Sequence, residues 1–418
     1  MPRRFARLLC CLLALAVFAV GSPGAALPQR AYVWQRAWTP ALRQSLPEIG
    51  PTFAALDVLA AEISFRDSTP AVSRITPDWV VLKAARTPIG LVVRIGSYPG
   101  SWAADAPPAR LVIQTCREVL AEARRQGLVP AGLQLDFDAA TARLVEYRGL
   151  LQTVRREVAP SRLEITTLPD WLRSPDFPAL IRETDSYVLQ VHSLEKPRAF
   201  ADAYTLCDVG RAEAWIAQAA QLKHPFRIAL PAYGYRLVFD AAGNFAALEA
   251  EGPAQTWPAG HQTRLVMADH EALAHFVQRL LASPPPGCEG LAWFRFPIPD
   301  DELAWSWPTL RAVMQGTPPE ARLKLLARPN LSGSFDLAVT NLGTAAAAPV
   351  AFRVEWPDAL LVAADTLGGW QLERVDAHTL IVRPPPFGSN GQLRPGESVG
   401  VGWLRLARPA PLTVTPIR

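Results

Sequence analysis

The sequence predicts a (β/α)8 barrel followed by a small all-β, immunoglobulin-like sandwich. Three observations predict it. From Ala31 to about Gln315, eight short apolar runs alternate with amphipathic helical stretches, the signature of a parallel α/β sheet at barrel length. No glycine-rich phosphate loop follows the first run, which argues against an open dinucleotide-binding sheet. Beyond "GTPPEA" the pattern changes to alternation broken by Gly, Pro, Asn and Asp.

Residues 1–26 read as a signal peptide. Arg3, Arg4 and Arg7 precede an apolar run from Leu8 to Val20, and "SPGAA" offers small residues for cleavage near Ala25 or Ala26. A retained anchor is the alternative. The expected location is periplasmic or secreted, with no transmembrane segment in the mature chain. Three of the four net positive charges are those arginines, and the remainder, near +1, gives no electrostatic case for a nucleic-acid partner.

The barrel is expected over residues 28–316. Its strands are "AYVWQRAW", "LDVLAAEISF", "IGLVVRIGSY", "GLQLDFD", "LEITTLP", "SYVLQVHSL", "FRIALPAYGY" and "GLAWFRFP". Helical spacing is clearest in "PARLVIQTCREVLAEARRQG", with Ile113, Cys116, Leu120 and Ala123 on one face. In "TARLVEYRGLLQTVRREV" the face is Leu144, Tyr147, Leu151, Val154 and Val158. "GRAEAWIAQAAQLK", "DHEALAHFVQRLLAS" and "DELAWSWPTLRAVMQG" follow the same logic, while the first two helices, near residues 39–49 and 72–84, are weakly patterned. After a linker at 317–321, residues 322–418 read as the sandwich. Its expected strands are "ARLKLLAR", "GSFDLAVTNLG", "APVAFRVEW", "TLIVRP", "ESVGVGWLRLA" and "PLTVTP".

Three cysteines follow the signal segment: Cys116, Cys207 and Cys288. The topology puts Cys207 and Cys288 at opposite ends of the barrel, too far apart for a disulfide. All three are expected to be free or buried thiols, with Cys116 in the core.

Barrel sites lie at the C-terminal ends of the strands. "GLQLDFD" carries Gln134, Asp136 and Asp138 on one face, with the two aspartate Cα atoms roughly 6–7 Å apart by strand rise. Two carboxylates in a partly dry site split their pKa values, so one stays protonated and can act as a general acid. The plainer alternative has Asp138 capping a helix and Asp136 pairing with Arg94. Glu62, late in strand two, is the best partner carboxylate from elsewhere, unless it pairs with Arg94. Arg94 would hold a substrate oxygen or a structural ion pair, and His192 would be a second acid/base or a structural group. Trp34, Trp171, Tyr233, Tyr235 and Trp293 suit sugar stacking as well as core packing. In the sandwich, Phe352, Trp356, Trp370 and Trp403 either grip glycan or form the core.

No G-x-S-x-G, H-E-x-x-H, P-loop or G-x-G-x-x-G occurs, so no cofactor or metal is expected.

"GLQLDFD" resembles the strand-four signature of family 18 glycoside hydrolases, the chitinase-like barrels. "VVRIGSYPG", "ALPAYGYR" and "GLAWFRFP" resemble their strand-three, strand-seven and strand-eight segments. The resemblance implies Asp138 at the acid position, one methylene shorter than the family's glutamate, with Asp136 beside it. It also implies Trp293 as the floor of the sugar site. Gln134 replaces an aspartate, and Gln190 and His192 stand where the family has a tyrosine-bearing segment. "YVWQRAW", "GLQLDFDAAT" and "GLAWFRFP" resemble more closely a bacterial family of unknown function, number 3142, which implies no activity.

These readings converge on a secreted glycoside-hydrolase-like protein acting on a poly- or oligosaccharide through Asp138, Asp136 and Glu62. Arg94, Gln190, His192 and the aromatics would bind sugar. The alternative is a catalytically inactive glycan-binding or cell-envelope scaffold protein.

Overall fold

The structure, a computed structural model, describes residues 27–66, 69–98, 100–103, 105–252, 255–331, 333–385 and 391–417; the expected signal peptide lies outside them. Eight strands close a parallel barrel. They are β1 (Gln29–Val33), β2 (Ala55–Arg66), β3 (Ile89–Ile95), β4 (Gly132–Phe137), β5 (Leu163–Thr167), β6 (Ser186–Gln190), β7 (Phe226–Pro231) and β8 (Cys288–Phe294). Each pairs with the next, and β8 returns to β1 through Trp293 opposite Ala31. Each expected barrel strand is present.

Side chains alternate across each strand, so every second residue enters the barrel. The layer at the N-terminal end is charged. Arg30 bonds Asp57 and lies 3.6 Å from Glu164. Arg227 reaches Glu164 at 2.9 Å, Glu289 at 2.8 Å and the Ser186 hydroxyl at 3.1 Å. Burial lifts the Asp57 carboxyl above its ordinary range, and Arg30 pulls it back. Tyr32, Leu59, Val92, Val188, Ala229 and Ala292 make an apolar layer above.

The outer helices are α1 (Pro40–Ile49), α2 (Trp79–Ala84), α3 (Pro107–Arg125), α4 (Leu144–Val158), α5 (Phe177–Ile181), α6 (Val209–Gln221), α7 (His270–Ala282) and α8 (Trp307–Met314). The weakly patterned α1 and α2 start on side-chain caps: Thr39 accepts from the Leu42 amide and Asp78 from the Val81 amide, both at 3.2 Å. Asp208 and Asp269 do the same for α6 and α7. Cys116, Leu120 and Ala123 of α3 are buried, as is the whole expected face of α4. Cys116, Cys207 and Cys288 are free thiols, and burial pushes Cys116 up to about 12.

Two expectations change. Val72 belongs to a strand, Thr69–Arg74, which folds back antiparallel on β2, so the second helix begins only at Trp79. The seventh run splits after Pro231, and Gly234–Phe239 joins Phe245–Glu249 and Gln262–Met267 in a separate antiparallel sheet. Gly234 permits this because a Cβ there would strike Met267 and the Val266 carbonyl.

The C-terminal domain has two four-stranded antiparallel sheets. One runs Leu323–Pro329, Phe335–Asn341, Ser398–Leu406, Leu361–Thr366; the other Gln371–Arg374, Thr379–Arg383, Ala351–Glu355, Thr413–Ile417. Leu361–Thr366 and Gln371–Arg374 lie outside the six expected strands; their mostly half-buried or exposed residues leave little apolar alternation to detect. Phe352, Trp356 and Trp370 are buried in the core, whereas Trp403 is half-buried and faces Asp336 and Asp365 in register. Arg394 ties this domain to the barrel by donating to the carbonyls of Pro299, Asp301 and Ala304 at 2.8–3.1 Å.

Gly90 makes room for the buried charges, since a Cβ there would collide with Asp57 Oδ1 and stand 2.9 Å from Arg30 Nη2. We expect Gly90→Ala to cost about 3 kcal/mol, the scale for breaking a buried pair. The urea midpoint should fall with the slope unchanged; an unaltered midpoint would show that the pair can shift without loss.

Candidate active site

The C-terminal end of the barrel opens into a cavity of about 340 Å³. Asp136 and Asp138 of the β4 segment both line it. Asp136 is half-buried and accepts a hydrogen bond from the Thr166 hydroxyl at 2.7 Å. Burial lifts its carboxyl, Arg94 and Thr166 lower it, and Glu62 raises it again. No hydrogen bond or ion pair reaches the Asp138 carboxylate among the described residues. Its carboxyl is pushed up to about 6, first by loss of solvation, then by Asp136, against the pull of Arg94. The residue is exposed at the mouth, so solvent screens part of this shift.

The expected alternatives for these aspartates are absent. Asp138 caps no helix, and Arg94 forms no ion pair within 4.0 Å among the described residues. The Arg94 guanidinium instead lies 5.7 Å from the centre of the Trp34 ring, a cation–π arrangement that keeps it at the cavity wall.

A chain of hydroxyls forms the opposite wall. Tyr233 and Tyr235 join oxygen to oxygen at 2.8 Å, and Ser193 bonds Tyr235. Ser193 has φ +58°, an uncommon conformation for a non-glycine residue that aims its hydroxyl at Tyr235. His192 is buried, and its Nδ1 has no partner among the described residues. Burial lowers its pKa to about 3, so it is a neutral imidazole at ordinary pH. Gln190 donates to the His192 carbonyl at 3.1 Å.

Of the sequence-derived residues, the fold brings together Asp136, Asp138, Trp34, Arg94, Gln190, His192, Tyr233 and Tyr235. Three others are corrected. Glu62 is opposite Arg94 in register, but its carboxylate is taken by Arg36 through two bonds of 2.6 and 2.7 Å, and it does not line the cavity. Trp171 is fully buried, with its indole N–H donating to the Ala139 carbonyl at 3.0 Å. Trp293 points outward from β8 and donates to Gln29 at 2.7 Å, so the inward residue is Phe294. Tyr32, Thr166 and Phe294 were missed, although strand parity marks each as inward. Ser193 and Leu248 come from loop and inserted sheet, where parity gives no signal.

A larger cleft, of about 470 Å³, lies between the domains. It carries Arg394, whose guanidinium is occupied by carbonyls, together with prolines and Trp307, and no aspartate lines it. The barrel mouth is therefore the candidate site.

The family described as "Domain of unknown function (DUF3142)" matches residues 88–299. The chain belongs to that family. Among solved structures this DUF3142 chain is similar to a chitinase from Chromobacterium violaceum, at 17% identity, over 70% of this chain and 99% of that one, with a TM-score of 0.48. It is also similar to the spore cortex-lytic enzyme SleL of Bacillus cereus, at 15% identity, over 70% and 74% of the two chains, with a TM-score of 0.48. None of the curated proteins matches it. Among the described residues no helix is long and apolar enough to cross a membrane.

The raised Asp138 pKa has a consequence for stability of the DUF3142 protein. A carboxyl at about 6 in the fold and 3.8 when free binds its proton more tightly in the fold. That stabilisation is complete below pH 3.8 and is lost as pH rises through 6. Asp138→Asn should therefore raise Tm relative to wild type above pH 6, with the gap closing below pH 4. Parallel Tm curves across that range would mean an unperturbed carboxyl.

Proposed function

We propose that this DUF3142 protein hydrolyses a glycosidic bond in a poly- or oligosaccharide, with Asp138 as the general acid. One observation carries this reading: an unbonded carboxyl with a raised pKa stands beside a second carboxylate at the mouth of an aromatic-walled cavity. Asp138 gives its proton to the glycosidic oxygen as the C–O bond breaks. Water adds its hydroxide to the sugar carbon, and its remaining proton returns to Asp138. Asp136, held by Thr166 and facing Arg94, stabilises the positive charge that develops on the sugar ring. Trp34 and Phe294 offer apolar faces to that ring, while the Tyr233–Tyr235–Ser193 chain offers hydroxyls. Glu62 takes no direct part in the proton transfer, because Arg36 holds its carboxylate. The arginine-led apolar segment at residues 3–20 supports export, so the reaction would run in the periplasm or outside the cell.

A second reading, glycan binding without hydrolysis, is favoured by Gln190. Its amide is spent on the His192 carbonyl, at the strand-six position where the resembled family keeps a tyrosine.

One experiment separates the two readings. Wild type and Asp138→Asn are compared on a glycan panel, with binding and reducing-end release scored separately. The acid reading expects release by wild type, a fall of about 10²–10⁴-fold in the variant, and binding retained in both. Equal binding with no release from either protein would favour the silent barrel.

A further inference from the structure

Asp138 stands at a border between two hollows. The second, of about 300 Å³, shares Asp138, Gln190, Ser193 and Glu195 with the barrel-mouth cavity. Its other walls differ in kind. Leu168, Pro169 and Asp170 come from the end of β5, and Arg211 and Trp215 from α6. Arg211 lies 4.9 Å above the centre of the Trp215 ring and donates to Glu195 at 2.6 Å. Its positive charge is thus matched by Glu195. Asp170 is exposed and has no hydrogen bond or ion pair among the described residues, so the outer hollow is left with unmatched negative charge.

A general acid must reach the oxygen that joins the two halves of its substrate. A carboxyl shared by two hollows meets that requirement if one half lies in each. We propose that the outer hollow, walled by Asp170, Arg211 and Trp215, is the leaving-group site. It takes a neutral or amine-bearing sugar and rejects an acidic one, because a uronate there would face the unpaired carboxylate of Asp170. This assignment rests on the reading of Asp138 as the acid. It makes Trp215, which holds Arg211 in place, and Asp170 specificity-determining residues on the side of the bond away from Trp34 and Phe294.

The test is calorimetric binding to the mature chain carrying Asp138→Asn, so that no ligand is consumed. The probes are glucosamine and its β-1,4-linked tetramer, galacturonic acid and its tetramer. We expect the glucosamine tetramer to bind more tightly than the monomer. Adding Trp215→Ala should weaken the tetramer about tenfold and leave the monomer unchanged. Adding Asp170→Lys, an exposed change that spares the fold, should weaken the glucosamine tetramer and strengthen the galacturonate tetramer. Tetramer affinity unmoved by both substitutions, a preference for galacturonate before Asp170 is changed, or no oligomer binding at all would overturn the assignment. Hydrolysis by wild type keeps the two ideas apart. Release of sugar with no effect of either substitution removes the outer site and leaves the acid. Length-dependent binding lost on substitution, with no release by wild type, removes the acid and leaves the groove.

Discussion

The buried charge layer at the N-terminal end of the barrel is the constraint on which the site depends. Arg30, Asp57, Glu164, Arg227 and Glu289 bring together β1, β2, β5, β7 and β8. Removing either partner of such a pair strands a charge in a dry interior, at a cost of about 3–5 kcal/mol. β1, β2, β5 and β7 must therefore keep their charged residues inward, while Glu289 of β8 is half-buried at the rim. A shift by one residue would turn a whole strand inside out. The inward choice made at Arg30 is inherited by Tyr32 and Trp34, and the choice at Glu164 by Thr166. On β1 and β5 the floor of the barrel thereby decides which side chains line its mouth, whereas register shifts on β2 and β8 reset the alternation above Asp57 and beside Glu289.

The same alternation explains what the sequence made legible. Gln134, Asp136 and Asp138 share a face whatever else the chain does, so the carboxylate pair was readable from β4 alone. Phe294 was readable by the same rule, since Ala292 and Phe294 enter the barrel and Trp293 leaves it. Resemblance to a family motif pointed to the tryptophan, and parity overrules it here. Trp171 misled for another reason. It follows β5 in a short 3-10 turn, where no alternation applies, and its indole is satisfied by a backbone carbonyl in the core. The hydroxyl wall could not be read at all. It needs Ser193 in a left-handed conformation and Tyr235 on an inserted sheet, and both depend on contacts between segments distant in sequence.

Electrostatics then assign unlike roles to two like residues. Asp136 has a hydroxyl donor and a nearby arginine, which favour its ionised form against the effect of burial. Asp138 has no donor, and the neighbouring Asp136 adds to the cost of a second negative charge there. Both carboxyls are thus raised, Asp136 by burial and Asp138 by burial and then by Asp136, and Asp138 is the one nearer the opening. Arg94 can serve both carboxylates because it closes an ion pair with neither. Stacking on Trp34 holds it without consuming its charge.

Glu62 enters this balance from outside the cavity. A β-bulge between Leu59 and Ala61 shifts the register of β2, and Glu62 comes to lie opposite Arg94. Its charge raises the Asp136 carboxyl, yet Arg36 neutralises it through a two-bond clasp. Arg36 also reaches Glu251, beside the inserted sheet, at 2.6 Å. One arginine is thus divided between the barrel and the segment that contributes Leu248 and Tyr235 to the cavity wall. Were that segment to draw Arg36 away, Glu62 would lose its counter-charge and the Asp136 carboxyl would rise. Glu62 therefore bears on the site through its charge alone, since its carboxylate does not line the cavity.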